Sequence, residues 1–236
     1  MFLATPYEAL AQSFDLRSVL PAGDASVAGR ILQMMVLVTV LSVAPGILMM
    51  VTSFTRFIIA LSFLRVGLGL QTTPGNLVLV SLALFMTMFV MAPTFEIAWT
   101  NGVKPMIDNK ITPEAGYSET TAPFRSFMLA NVRDKDLTTF KSLSKARFNV
   151  EAGLPDDDLR VLVPAFMISE LRRGFEIGFL IVLPFLVIDL VVATVLMSMG
   201  MMMLPPTVIS MPLKILFFVL IDGWGLLVGT LAKSFV

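Results

Sequence analysis

The sequence predicts an all-α, membrane-associated protein with a small helical domain outside the membrane and an oligomeric working form. Three observations carry that prediction. First, of 236 residues 56% are hydrophobic and only 14% charged, against about 25% charged in a typical soluble domain, and mean hydropathy is +0.87. Second, four long apolar segments stand out, and each carries a flaw. Third, the polar stretch between the second and third segments repeats its apolar residues at helical spacing.

The same composition excludes several function classes. With 17 basic and 17 acidic residues the net charge is zero, so no electrostatic footprint for nucleic acid exists. Cysteine and histidine are absent. Disulfides, thiol catalysis, Ser-His and Cys-His nucleophile pairs, and imidazole or thiolate metal sites are thereby removed. No glycine-lysine phosphate loop is present either. The expectation is a membrane protein that is not an enzyme, with neither cofactor nor metal.

Residues 1–29 are expected to form an N-terminal extracytoplasmic segment, and Met1 to Gly23 lack the basic start and apolar stretch of a secretory signal. Residues 30–93 are expected to hold the first pair of hydrophobic helices. Its first segment runs from Ile31 to Thr55 between Arg30 and Arg56, with Pro45-Gly46 near the middle. Its second, Leu77 to Ala92, has 16 residues, just short of the roughly 17–25 that span a bilayer. The connection between them carries Arg56 and Arg65 and no acid, so the positive-inside rule turns it to the cytoplasm.

Residues 94–163 then lie outside, in the periplasm of a cell with two membranes. From Lys104 to Arg160 this region holds nine basic and nine acidic residues. Phe124, Phe127, Met128 and Val132 mark one amphipathic helix, and Leu137, Phe140 and Leu143 a second over Asp136 to Phe148. A further helix is predicted to start at Pro155, with Asp156, Asp157 and Asp158 in a first turn where carboxylates suit the helix dipole.

Residues 164–236 form the second hydrophobic pair, bearing a methionine-rich loop. Its first segment, Ile177 to Met199, contains Pro184 and Asp189; its second, Val208 to Ala232, contains Pro212, Lys214 and Asp222. A proline removes a backbone bond and kinks the axis, so Pro184, like Pro205 and Pro206, is expected to break its helix. A central carboxylate costs roughly 2.5–3.5 kcal/mol even on a permissive insertion scale. Flaws in all four segments imply helices shielded by protein more than by lipid. A chain of 236 residues cannot shield four helices from every side, which points to an oligomer.

Four groups of residues invite functional readings. Met197 to Met203 contains five methionines in seven residues and is followed by Leu204 and the helix-breaking Pro205-Pro206. Methionine is flexible and polarizable and packs irregular cores. At a forced helix break, Met201, Met202 and Met203 equally suit a compliant gate. Asp189 and Asp222, with Lys214 between them in sequence, read as a proton or pathway relay or as buried structural pairs, within a chain or across subunits. In Ser169 to Glu176, Glu170 and Arg173 are three apart and Arg172 and Glu176 four apart, so both pairs can meet on one helix. They suit a charge girdle or an inter-subunit contact. Gly174-x-x-x-Gly178 and Gly225-x-x-x-Gly229 match the small-residue spacing of closely packed helices.

Two blocks carry a family resemblance. The first is Thr52-Ser53-Phe54-Thr55-Arg56-Phe57, continuing through Ser62 to Arg65 and Leu70 to Asn76 to Phe89-Val90-Met91-Ala92-Pro93. The second is Glu170-Leu171-Arg172-Arg173-Gly174-Phe175-Glu176-Ile177-Gly178-Phe179, then Leu183 to Leu190, Met199 to Pro206, Lys214 and Ile221-Asp222-Gly223-Trp224. These blocks resemble the FliP family, the flagellar export-gate proteins of type III secretion. The virulence injectisome subunit belongs to the same family, and Thr55-Arg56 with Glu170 to Gly174 look more like the flagellar branch.

The resemblance implies kinked hairpins wound into a ring-like or helical assembly. It implies five copies of the chain completed by FliR, surrounded by FliQ, with FlhB and FlhA beneath, in the bacterial inner membrane at the flagellar basal body. It also implies that Met201, Met202 and Met203 form a gasket through which unfolded flagellar proteins pass. The injectisome role and a proton-coupled channel using Asp189 and Asp222 are the competing expectations, with a structural scaffold behind them.

Overall fold

In the computed structural model, residues 27–148, 153–201 and 203–235 are described, and every regular element among them is helical. Most of the expected N-terminal segment, residues 1–26, and Met202 lie outside the described residues. The chain divides into two units, 1–44 and 45–236. The described part of the first is helix: α1, Val27–Val51, starts there and ends in the second unit. Its apolar residues, among them Ile31, Leu32, Met35, Val40 and Leu41, are exposed all round. A helix without a polar face is built for an apolar surrounding.

The second unit continues with α2 (Phe54–Gly67) and α3 (Asn76–Ile97). A π-helical turn, Ala98–Val103, leads into the short α4 (Lys104–Ile107). Next come α5 (Pro113–Asn131), α6 (Asp134–Phe148), the 40-residue α7 (Leu159–Ser198), α8 (Pro206–Leu220) and α9 (Gly223–Lys233).

The organising contact is α2 lying parallel along α7. Arg56 meets Glu170, Ile59 meets Gly174, Phe63 meets Gly178, and Gly67 meets Val182 and Phe185. The two α7 glycines permit the approach: a Cβ at Gly178 would sit 2.6 Å from the Phe63 ring, and one at Gly174 3.1 Å from Ile59 Cβ. The first small-residue match is therefore a packing seam within one chain. In the second, a Cβ at Gly229 would meet nothing within 4 Å, and the nearest atoms to one at Gly225 belong to Asp222 of the same turn.

Around the seam, Phe57, Leu61 and Leu64 pack with Phe185, Phe218 and Leu231. A smaller cluster of Met128, Leu162 and Phe166 ties α5 to the start of α7. Ser169 adds a polar tie: its hydroxyl donates to Asp136 Oδ2 at 2.8 Å and accepts from the Arg133 amide at 3.1 Å. The outward faces stay apolar, with Phe85, Phe89 and Leu220 about three-quarters exposed. Surfaces of that kind are covered by lipid or protein.

Several segments differ from expectation. Pro45 and Pro184 do not end their helices, because each removes a single backbone donor while the surrounding ladder of α1 and α7 continues. The break near the end of the first segment falls at Thr52-Ser53. The second segment is not short: Asn76–Ile107 forms 32 residues of near-continuous helix. The chain divisions expected at 93/94 and 163/164 fall inside α3 and α7.

The helix expected from Pro155 starts at Leu159, because Asp158 caps it by accepting from the Arg160 amide at 2.9 Å. The Arg160 guanidinium grips the same carboxylate at 2.6 and 2.9 Å and holds its pKa down to about 2. Among the described residues, three helices are long and apolar enough to cross a membrane, at Met34–Val51, Asn76–Ile107 and Leu159–Ser198. The pair α8 and α9, bent by 66°, makes a fourth if counted as one span.

Candidate functional site: two ionic centres and a methionine turn

The methionine turn joins α7 to α8. Gly200 takes φ +74°, the left-handed conformation that glycine adopts without penalty. The Gly200 amide donates to the Met197 carbonyl at 3.1 Å, and the Met201 amide to the Leu196 carbonyl at 3.0 Å. These two bonds form a Schellman termination, so Gly200 ends α7. The double proline was expected to stop the helix; instead Pro205 stands at the N-cap of α8 and Pro206 in its first turn, where a missing amide costs nothing. The turn leaves its methionines exposed: Met199 is 66% exposed, Met201 37% and Met203 98%.

Behind the turn, Asp189 of α7 and Lys214 of α8 form the first ionic centre. Lys214 Nζ donates to Asp189 Oδ2 at 2.5 Å and to the Gly67 carbonyl at 3.1 Å. One ammonium thus joins α8 to α7 and caps the C-terminal end of α2, where cations offset the dipole. Ser210, one turn earlier on α8, donates to Asp189 Oδ1 at 2.6 Å. Asp222 is not part of this group. It is exposed at the joint between α8 and α9, with φ +52°.

The second centre is fully buried. Arg56 Nε donates to Glu170 Oε2 at 2.8 Å, and Nη2 bonds Oε1, with neither side chain exposed. Planar two-point pairing is what a guanidinium offers a carboxylate. Arg56 Nη1 donates to both the carbonyl and the hydroxyl oxygen of Ser234 at 2.8 Å. The guanidinium carbon lies 3.5 Å from the centre of the Phe235 ring. Glu170 therefore pairs across helices with Arg56 and not with Arg173, which sits half-buried on the next turn. Arg172 and Glu176 do meet, at 2.8 Å, as an exposed pair.

Sequence reasoning missed Arg56 as a buried partner and read it as a loop cation. It lies 114 residues from Glu170, and no spacing rule reaches that far. Ser210, Ser234 and Phe235 were also missed. The Gly200 stop and the Pro206 start were open to recognition from the usual glycine-after, proline-first asymmetry of helix ends.

Comparison with known proteins covers nearly the whole chain. The sequence pattern described as the FliP family matches residues 37–231. The flagellar biosynthetic protein FliP of Agrobacterium fabrum is 59% identical over 235 residues, covering 100% of this chain and 96% of that protein. Its counterpart in Rhizobium meliloti is 59% identical over 226 residues, 96% of this chain and 92% of that one. The Bacillus subtilis protein of the same name is 48% identical over 218 residues, 92% and 98% of the two chains.

Proposed function

The chain belongs to the FliP family, and from that premise we propose that it is a core subunit of the flagellar protein export gate. The observation that carries the reading is 59% identity along the full chain to a protein named for flagellar biosynthesis. Several copies, five by family likeness, assemble with FliR and FliQ, with FlhB and FlhA beneath, in the inner membrane at the flagellar base. Part of the chain stands on the periplasmic side. Together they enclose a conduit for unfolded flagellar proteins, and the chain performs no covalent chemistry.

The methionine turn supplies the seal. Met201 and Met203, with Met202 between them in sequence, occupy the free end of the α7–α8 hairpin, where Met203 is 98% exposed. Unbranched thioethers conform to a chain of changing shape and close again behind it. The relatives described above are flagellar by name, which favours export of flagellar proteins over virulence effectors. A proton relay through Asp189 and Asp222 is less well supported. Asp189 is bonded to Ser210 and Lys214, while Asp222 faces out at another joint. Replacing Met201, Met202 and Met203 by alanine in the assembled complex is expected to raise small-ion leakage while assembly is kept. Leakage equal to that of the parent complex would refute the seal.

A further inference from the structure

The last helix is attached in an unusual way. It joins α8 through Ile221-Asp222, where the axis bends by 66° and Asp222 holds φ +52°, uncommon for a residue with a side chain. Beneath it, an apolar cavity of about 260 Å³ opens between α7, α8 and α9, bordered by Ile181, Pro184, Phe185, Leu226 and Leu227. One face of α9 is free, since an added Cβ at Gly229 meets nothing. The bent joint and the cavity leave α9 anchored through Leu227 and Leu231 on one face, with open space beside it.

Its end is held tightly. Ser234 gives both its carbonyl and its hydroxyl oxygen to Arg56 Nη1 at 2.8 Å. The Phe235 ring lies under the same guanidinium at 3.5 Å. It also packs edge-on against Phe57 at 5.4 Å and stacks on Phe127 at 5.8 Å. Glu170 occupies the other edge of the guanidinium and so fixes its plane. Arginine's rigid fork is pre-organised for simultaneous contacts of this kind, and a desolvated cation over an aromatic face adds to them.

We propose that Arg56 and Glu170, with Phe57 and Phe127, form a binding site for the chain's own Ser234–Phe235, which latches α9 as a hinged arm pivoting at Ile221-Asp222. The ligand class is a hydroxyl residue followed by an aromatic one. Closing the latch sets the position of α9 over the apolar faces of α7 and α8, and opening it uncovers them.

The chain has no cysteine, so nitroxide labels at Lys233→Cys on α9 and Glu119→Cys on α5 report one distance. The full chain is measured in detergent, diluted with unlabelled copies. The parent is expected to give a single narrow distance. Ser234→Ala with Phe235→Ala leaves the ion pair intact and is expected to replace it with a broad, longer distribution. Arg56→Lys keeps the charge opposite Glu170 but loses the Nη1 donors, and is expected to release the arm with helix content unchanged. A narrow parental distance in either variant overturns the proposal. Leu231→Ala removes fully buried packing from α9 while leaving the latch, and is expected to keep the narrow distance. Release by Leu231→Ala to the same extent as by the tail variant would assign the hold to ordinary packing and overturn the latch.

Discussion

The two ionic centres join opposite charges across helices in apolar surroundings, yet they are built differently. Arg56 and Glu170 have no exposed side-chain surface, whereas Lys214 is 6% and Asp189 34% exposed. The closed centre uses the directional guanidinium, with its donors divided between Glu170 and Ser234. The open one uses a point-charge ammonium that also serves a helix end. A closed centre needs geometry to offset the loss of water. The open one lies where α2 stops and α7 runs on, and its carboxylate stays about one-third exposed.

The largest expected effect separates these two. Glu170→Ala strands a buried cation and should cost about 3–5 kcal/mol. Lys214→Ala leaves a carboxylate that can be rehydrated and should cost about 1–3 kcal/mol. Thermal unfolding of the detergent-solubilised chain reads both, and equal losses would erase the distinction between closed and open centres.

An intermediate effect tests the seam that brings the closed centre together. Gly178→Ala drives a methyl into the Phe63 ring and should cost about 1–3 kcal/mol by overpacking. Gly229→Ala meets open space and should be neutral or stabilising by up to about 1 kcal/mol from helix propensity. The same unfolding assay decides, and matching losses would show that the glycine spacing, not the contact, matters.

The smallest effect concerns a third pair, Asp158 and Arg160, which faces water. The side-chain hydrogen bonds from Arg160 outweigh the desolvation that opposes them and hold the carboxyl down to about 2. A depressed carboxylate stabilises the fold above its unfolded pKa of about 3.9. That contribution is lost as pH falls from near 4 through 2. Asp158→Asn should remove this part of the acid dependence by lowering stability modestly at neutral pH, with the difference from the parent vanishing as pH falls to about 2. A parental acid profile in the variant would show that Asp158 contributes none of it.

The helical class, the apolar segments and the amphipathic helices α5 and α6 were legible because each rests on local periodicity. Helix ends were legible in part. Asp158 lay within the predicted acidic turn, but the cap falls on the last of three aspartates, and only the side-chain bond chooses among them. Pro184 was misread as a break because, in an apolar surrounding, every alternative to the helix leaves still more backbone groups unsatisfied, so the ladder of α7 continues past one missing donor. Within the ionic centres, Asp189 and Lys214 stood out as charges in apolar runs. The Arg56–Glu170 pair did not, since both residues sit near segment ends where charges usually meet solvent. Tertiary contact over 114 residues leaves no periodic trace in a single sequence.

The parallel seam has a mechanical consequence. Gly67 ends α2 at the level of Phe185, while α7 continues to Ser198, thirteen residues or about 20 Å further at 1.5 Å per residue. Beyond that level the α7–α8 hairpin is a cantilever, clamped at its root by Lys214. Small rocking at the clamp is magnified at the free end, so the sulfurs there inherit compliance from a lever arm as well as from their own rotatable bonds.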